Sequence, residues 1–203
     1  MIDGLIAPTA GNVFVGTRTG AELRSHQARR SIGYVSQGIA LFPFLRVWEN
    51  ISLPLRLRGV PAKERKQRAE KALELVELPP EWSGRMPSEL SGGQQQRVAV
   101  ARALITGTDI ILMDEPFGAL DALTREALQD EVLRLRDRLG VTVVFVTLDL
   151  FEALALADRI VVMHLGEVEQ IGDPREVLER PQTEFVRNLF GKPARLLRAA
   201  GSA

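Results

Sequence analysis

The chain has no cysteine. Disulfides and thiolate metal sites are therefore excluded, and the composition fits a reducing compartment. It lacks an excess of either charge: Lys+Arg total 26 and Asp+Glu total 26. There is no basic footprint for nucleic acid and no acidic tail. No apolar run approaches the roughly 20 residues that cross a bilayer. The opening Met-Ile-Asp-Gly-Leu-Ile-Ala-Pro has neither the basic flank nor the apolar stretch of a secretion signal. The expectation is a cytosolic protein that meets a membrane only through a partner. Internal repeats and low-complexity segments are also lacking. Histidine is scarce, and His26 and His164 read as surface or edge residues.

What is present is ordinary globular composition: 203 residues, 45% hydrophobic and 26% charged. That suffices for one sizeable core, or a core with a small subdomain. Residues 1–7 read as the tail of a helix, Pro8–Gly11 as a turn, and Asn12–Gly16 as a short strand. Ala21–Arg30 is polar, helix or loop. Ile32–Ser36 is a strand that delivers Gln37 at its end. The character changes at Gly38. Leu41–Leu45 is an apolar loop, and Val47–Arg58 is a helix with Ile51, Leu55 and Leu57 inward and Pro54 as a kink. A charged helix from Pro61 to Leu78 carries Ala69, Ala72, Leu73 and Val76 on one face. Beyond residue 107, strand and helix alternate. Ile110–Met113, Val141–Thr147 and Arg159–Met163 suit buried parallel strands. Leu120–Leu139 is an amphipathic helix with Leu123, Ala127, Val132 and Leu135 inward. A strand over Glu167–Ile171 and helices near 173–180 and 183–190 close the chain. The fold class expected is α/β: a core over 1–37 and 108–203, interrupted by a helical subdomain over 38–107.

Two stretches carry chemistry. Leu90-Ser91-Gly92-Gly93-Gln94 opens a helix with a serine and two glycines. Such a turn aims free backbone N–H groups and a hydroxyl at one point, which suits a phosphate. Ile110–Met113 ends in Asp114-Glu115-Pro116. A buried strand ending so places two carboxylates at the carboxyl edge of a sheet, where α/β proteins bind ligands. Asp114 can hold Mg²⁺, and Glu115 can polarise a water.

In their order along the chain these motifs resemble those of ABC transporter ATP-binding subunits. Gln37 after Tyr34-Val35-Ser36 matches the Q-loop, Leu90–Gln94 the signature, Ile110–Glu115 Walker B, and Ala119-Leu120-Asp121 the D-loop. The resemblance covers essentially the whole chain and implies a P-loop NTPase-like core with ATP and Mg²⁺ as cofactors. It implies that Gln37 senses Mg²⁺ and the γ-phosphate. Ser91, Gly92, Gly93 and Gln94 would contact ATP held by an opposite subunit. Asp114 would bind Mg²⁺, Glu115 would be the general base, and Asp121 would communicate across a dimer. The partners implied are membrane permease subunits, a second ATPase subunit and, indirectly, an extracytoplasmic solute-binding protein. The place implied is the cytoplasmic face of the inner membrane. Leu41–Leu45 would face the permease or pack as subdomain core. The tail, from Gly172-Asp173-Pro174 through Phe185-Val186, is similar to importers, above all the glycine betaine and osmoprotectant group.

Two departures qualify this. The pattern G-x-x-x-x-G-K-[ST] of Walker A does not occur, and the one Gly-Lys, Gly191-Lys192, precedes a proline. Thr147-Leu148-Asp149 stands where the family has Thr-His-Asp, and leucine cannot hydrogen-bond a phosphate. These features read either as a truncated importer ATPase unable to bind ATP alone, or as a non-catalytic, degenerate subunit lending its signature to an intact partner. Without the P-loop strand the sheet should have a groove and apolar edges, with poor solubility or dimerisation. A soluble ABC protein of DNA repair or translation is the remaining class. The short insertion, single cassette and zero net charge weigh against it.

Overall fold

The computed structural model describes residues 1–25, 32–118 and 120–191. His26, the end of the 21–30 segment, Ala119 and Lys192 lie outside the described residues. The chain divides into two compact units, Met1–Val146 and Thr147–Ala203.

The first unit opens with turns rather than the expected helix end: Gly4 has φ of 70° and donates to the Met1 carbonyl at 2.9 Å. Leu5 N–H donates to Asp3 Oδ1 at 3.1 Å, a local side-chain bond that competes with the helical one. A two-residue hairpin follows, β1 (Phe14–Val15) antiparallel to β2 (Arg18–Thr19), and then α1 (Gly20–Leu23). Strands β3 (Ile32–Val35), β4 (Ile110–Asp114) and β5 (Thr142–Val146) form a parallel sheet in that order. Between β3 and β4 the chain is helical: α2 (Val47–Arg56), α3 (Ala62–Leu75), two 3-10 turns, and α4 (Gly92–Leu104). Helix α5 (Ala122–Leu139) links β4 to β5.

Helices α2 and α3 bury Val47, Ile51 and Leu55 against Ala69, Ala72 and Leu73. Burial of each large aliphatic side chain contributes about 1.5–3 kcal/mol. Leu57, expected inward, is 70% exposed, because two residues past Leu55 a helix has turned to its other side. Val100 and Leu104 of α4, Ile111 and Met113 of β4, and Val132 and Leu135 of α5 line one small gap, so α4 and α5 cover one face of the sheet. Helix α4 meets β3 closely. A Cβ on Gly33 would stand 2.7 Å from the Ala103 carbonyl oxygen. The inward stripe of α5 is Leu128, Glu131, Val132 and Leu135. Leu123 and Ala127, expected inward, are exposed. The true stripe contains a buried acid, and counting apolar residues alone shifts the register.

The opposite face of the sheet is open. Tyr34, Val144 and Val146 are exposed, so β5 is not the strand buried on both faces that its apolar run suggested.

In the second unit α6 (Leu150–Leu156) precedes β6 (Ile160–His164), β7 (Glu167–Gly172) and α7 (Pro174–Glu179), and residues 184–191 form α8. Strand β6 was expected to be parallel. Its partner among the described residues is β7, antiparallel, because the turn at Leu165-Gly166 has two positive φ angles and returns the chain on itself. Ile160, Val162, Val177, Val186 and Phe190 form this unit's core.

Candidate functional site

Two groups of candidate residues stand in the first unit. The first lies at the carboxyl edge of the sheet. Val35 is in register with Met113, so Gln37, Asp114 and Glu115 leave neighbouring parallel strands at the same edge. Asp114 is half-buried, and Gln37 is exposed on the loop after β3. Glu115 has φ of 42°, a left-handed conformation uncommon for glutamate. Its N–H donates to the Val146 carbonyl at 2.9 Å, and its carbonyl accepts from Gly118 N–H at 3.3 Å. Gly118 lies against Glu115: a Cβ there would stand in ordinary contact, 3.7 Å from Glu115 Oε2.

The second group is the turn into α4. Ser91 is the N-cap. Its Oγ accepts from Gln94 N–H at 3.4 Å, and Gln94 Oε1 accepts from Ser91 N–H at 2.9 Å. Ser91 and Gln94 thus form a capping box. Gly92 and Gly93 occupy the first turn, where no intrahelical carbonyl is available to their N–H groups. A Cβ on Gly92 would meet nothing within 4 Å, whereas one on Gly93 would collide with Thr124 Cγ2. Thr124 lies in the first turn of α5 and donates its N–H to Asp121 Oδ1 at 3.1 Å. Hydrogen bonds from Thr124 hold the Asp121 carboxyl below its ordinary range. Thr124 therefore joins Gly93 to Asp121. Among the described residues no hydrogen bond or ion pair links Gln37, Asp114 or Glu115 with the Ser91–Gln94 and Asp121 group.

These positions fit part of a nucleotide. The first turn of a 13-residue helix, with open space over Gly92, suits an anionic oxygen. Among the described residues no three His, Asp or Glu side chains gather into a metal site. One carboxylate and one amide suit Mg²⁺ that keeps waters and phosphate oxygens as its other ligands. The 203 residues hold no glycine-rich Lys-Ser/Thr cradle for the rest of a triphosphate.

In the second unit Thr147 Oγ1 donates to Glu152 Oε2 at 2.6 Å and accepts from Asp149 N–H at 3.0 Å. Asp149 caps α6 through Phe151 and Glu152 N–H groups. The turn is thus fully built without residue 148, and Leu148 stands 82% exposed. His164 stacks on Phe185 with ring centroids 3.9 Å apart, beside Glu169.

The loop Leu41–Leu45 is not subdomain core: Phe44 is 72% exposed and Phe42 41%. Asn50, fully buried, shapes it. Its Oδ1 accepts from Phe42 N–H at 2.8 Å and its Nδ2 donates to the Phe42 and Leu45 carbonyls. Asn50 and Thr124 went unrecognised in the sequence. A polar residue on an apolar stripe was the signal available for Asn50. Thr124 gave none, since its role depends on an approach between two helices.

The family profile described as ABC transporter matches residues 1–118. The glycine betaine/carnitine/choline transport ATP-binding protein OpuCA of Bacillus subtilis is 49% identical over 192 residues, 95% of this chain and 50% of that protein. The choline transport ATP-binding protein OpuBA of the same species is 48% identical over the same length. The spermidine/putrescine import ATP-binding protein PotA of Acidothermus cellulolyticus is 47% identical over 94% of this chain and 49% of its own length. The chain spans about half the length of these relatives. Among solved structures, a dimeric post-hydrolysis state of the ATP-binding cassette MJ0796 bound to ADP and Pi matches with a TM-score of 0.72 and 38% identity, covering 86% of this chain and 78% of that one. The parallel sheet β3-β4-β5 with its carboxylate edge, the glycine turn opening α4 and these matches agree on one conclusion: the chain belongs to the ABC transporter family and has the P-loop NTPase-like fold of its ATPases.

Proposed function

We propose that the chain is the ATP-binding part of an ABC importer, coupling ATP hydrolysis to uptake of glycine betaine or a related osmoprotectant. The observation that carries this is the presence of two half-sites in one unit: a carboxylate edge at Gln37, Asp114 and Glu115, and a capped glycine turn at Ser91–Gln94. The relatives named for betaine and choline transport supply the substrate class. ATP supplies the phosphoanhydride whose cleavage drives the cycle. Ser91, Gly92 and Gly93 offer a hydroxyl and two N–H groups to a phosphate oxygen. Asp114 and Gln37 would hold Mg²⁺, which would offset the charge of the phosphates, and Glu115 orients and deprotonates the attacking water. Asp121, fixed through Thr124, links the glycine turn to the dimer partner. Residues 38–107 act as the helical subdomain, and the exposed Phe42 and Phe44 contact a permease at the cytoplasmic face of the membrane.

A second reading is a degenerate subunit, favoured by Leu148, which stands exposed beside Thr147 and Asp149 and cannot hydrogen-bond a phosphate. One experiment tests both. The chain is co-expressed with a full-length partner ATPase and a permease, and uptake of labelled glycine betaine and spermidine is measured. The leading reading expects betaine uptake, abolished by both Glu115→Gln and Ser91→Asp. Aspartate keeps a capping oxygen but sets a negative charge before the phosphate. Loss with Ser91→Asp alone selects the degenerate subunit. Spermidine in place of betaine overturns the substrate class. Uptake indifferent to both substitutions overturns both readings.

A further inference from the structure

We infer that Arg102, near the C-terminal end of α4, is a positioning residue that fixes the loop carrying Gln37. The inference rests on the role proposed above for Gln37. Three consecutive residues after it have positive φ: Gly38 at 83°, Ile39 at 69° and Ala40 at 46°. Glycine adopts this region freely, but a β-branched isoleucine there is an outlier. Non-glycine residues held in this region persist only where their surroundings over-determine them. Within the loop, Ile39 N–H donates to the Ser36 carbonyl at 3.3 Å and Ala40 N–H to the Gly38 carbonyl at 2.7 Å. Two such bonds leave the direction of the Ile39 and Ala40 carbonyls open.

The guanidinium of Arg102 supplies that direction. Nη1 donates to the Ala40 carbonyl at 2.8 Å and Nη2 to the Ile39 carbonyl at 3.3 Å, across 62 and 63 residues of sequence. A planar fork on two adjacent carbonyls fixes both distance and orientation, which a single ammonium cannot. Burial lowers the Arg102 pKa, so the cation has given up part of its water for these carbonyls. Helix α4 is anchored on β3 where Gly33 admits Ala103, and it begins at the Ser91–Gln94 turn. Arg102 thus ties the far end of the signature helix to the backbone behind Gln37. A displacement of α4 moves the Ile39 and Ala40 carbonyls, and through them Gln37, on the loop that leaves the sheet at the same edge as Asp114 and Glu115.

Hydrogen–deuterium exchange on the 203-residue chain tests the anchor without nucleotide. In Arg102→Met, amides of residues 37–41 should exchange about tenfold faster, with α4 and β4 unchanged. Arg102→Lys, which reaches one carbonyl, should lie between. It also carries the comparison should the methionine variant not fold. Unaltered exchange at 37–41, or an equal rise throughout α4 and β3, overturns the inference. Turnover is measured in the complex with a full-length partner and permease. There Arg102→Met should lower kcat at constant KM for ATP and add nothing to Gln37→Ala, whereas additive losses overturn positioning. If Gln37→Ala alone has no effect, the role given to Gln37 fails, and the exchange data still decide the anchor.

Discussion

Gly93 is a glycine for reasons of space. Its place is inside a helix, where alanine would otherwise be preferred by about 1 kcal/mol. A methyl group there would meet Thr124 Cγ2, and the two helix starts would have to part. Gly92, one residue earlier, looks onto open space. The two glycines should therefore separate in experiment. Gly93→Ala is expected to cost about 1–3 kcal/mol by overpacking. Thr124→Ser removes the offending methyl while keeping a hydroxyl, and added to Gly93→Ala it should recover most of that loss. Gly92→Ala should leave the urea midpoint unchanged or raised. Equal midpoints for the two alanine variants, or no recovery in the double variant, would show that the helix starts are not in contact. The test bears on function because the same threonine holds Asp121.

At the scale of elements, three helices meet at a charged cluster under the sheet. Arg97 of α4 pairs with Glu131 of α5, donates to the Val76 carbonyl at the end of α3 at 3.1 Å, and faces Glu77 at 3.8 Å. Arg134 reaches Glu77 from α5 at 3.4 Å. Burial pushes the Glu131 carboxyl up to about 7, with Arg97 opposing and Glu77 adding to the rise. Below an unfolded value of 4.5 both states are protonated. Between 4.5 and about 7 the folded state binds more protons than the unfolded one, so stability falls as pH rises through that window. The loss is on the order of 3 kcal/mol. Glu131→Gln, neutral throughout, should flatten this slope in urea melts between pH 5 and 7.5, and an unchanged slope would assign it to other groups. The cluster also explains what the sequence concealed. The inward stripe of α5 includes Glu131, whereas the spacing of apolar residues alone points to Leu123 and Ala127. What was legible were features carried by the local chain: the apolar runs of β3, β4 and β5, and the strand ends that deliver Gln37, Asp114 and Glu115. Arg102 and Thr124 were illegible because their partners lie on other elements. The strain at Ile39 and Ala40 has no compositional mark at all.

For the whole molecule, the two units share one property. Each has a sheet with one face covered by helices and one face apolar and exposed. In the first unit Tyr34, Val144 and Val146 stand on the open face, and in the second Val161, Met163, Val168 and Ile171 do. Parallel sheets are ordinarily covered on both faces. Strand β5 pairs with β4, and β6 with β7, leaving each with one unpaired edge among the described residues. Exposed edges beside exposed apolar faces favour strand-to-strand association. A polypeptide of these 203 residues, made alone, should therefore bind 8-anilinonaphthalene-1-sulfonate in its folded state. It should also elute above monomer mass in size exclusion with light scattering, the more so at high salt, where apolar burial strengthens. Val144→Thr with Val146→Thr should reduce both signals without lowering the melting temperature, since these side chains have little packing to lose. Dye binding and association that persist in that variant would locate the contact on the second unit, where Val161→Thr with Met163→Gln provides the corresponding test. A chain that stays monomeric and dye-free at high concentration would mean that these faces are covered in solution.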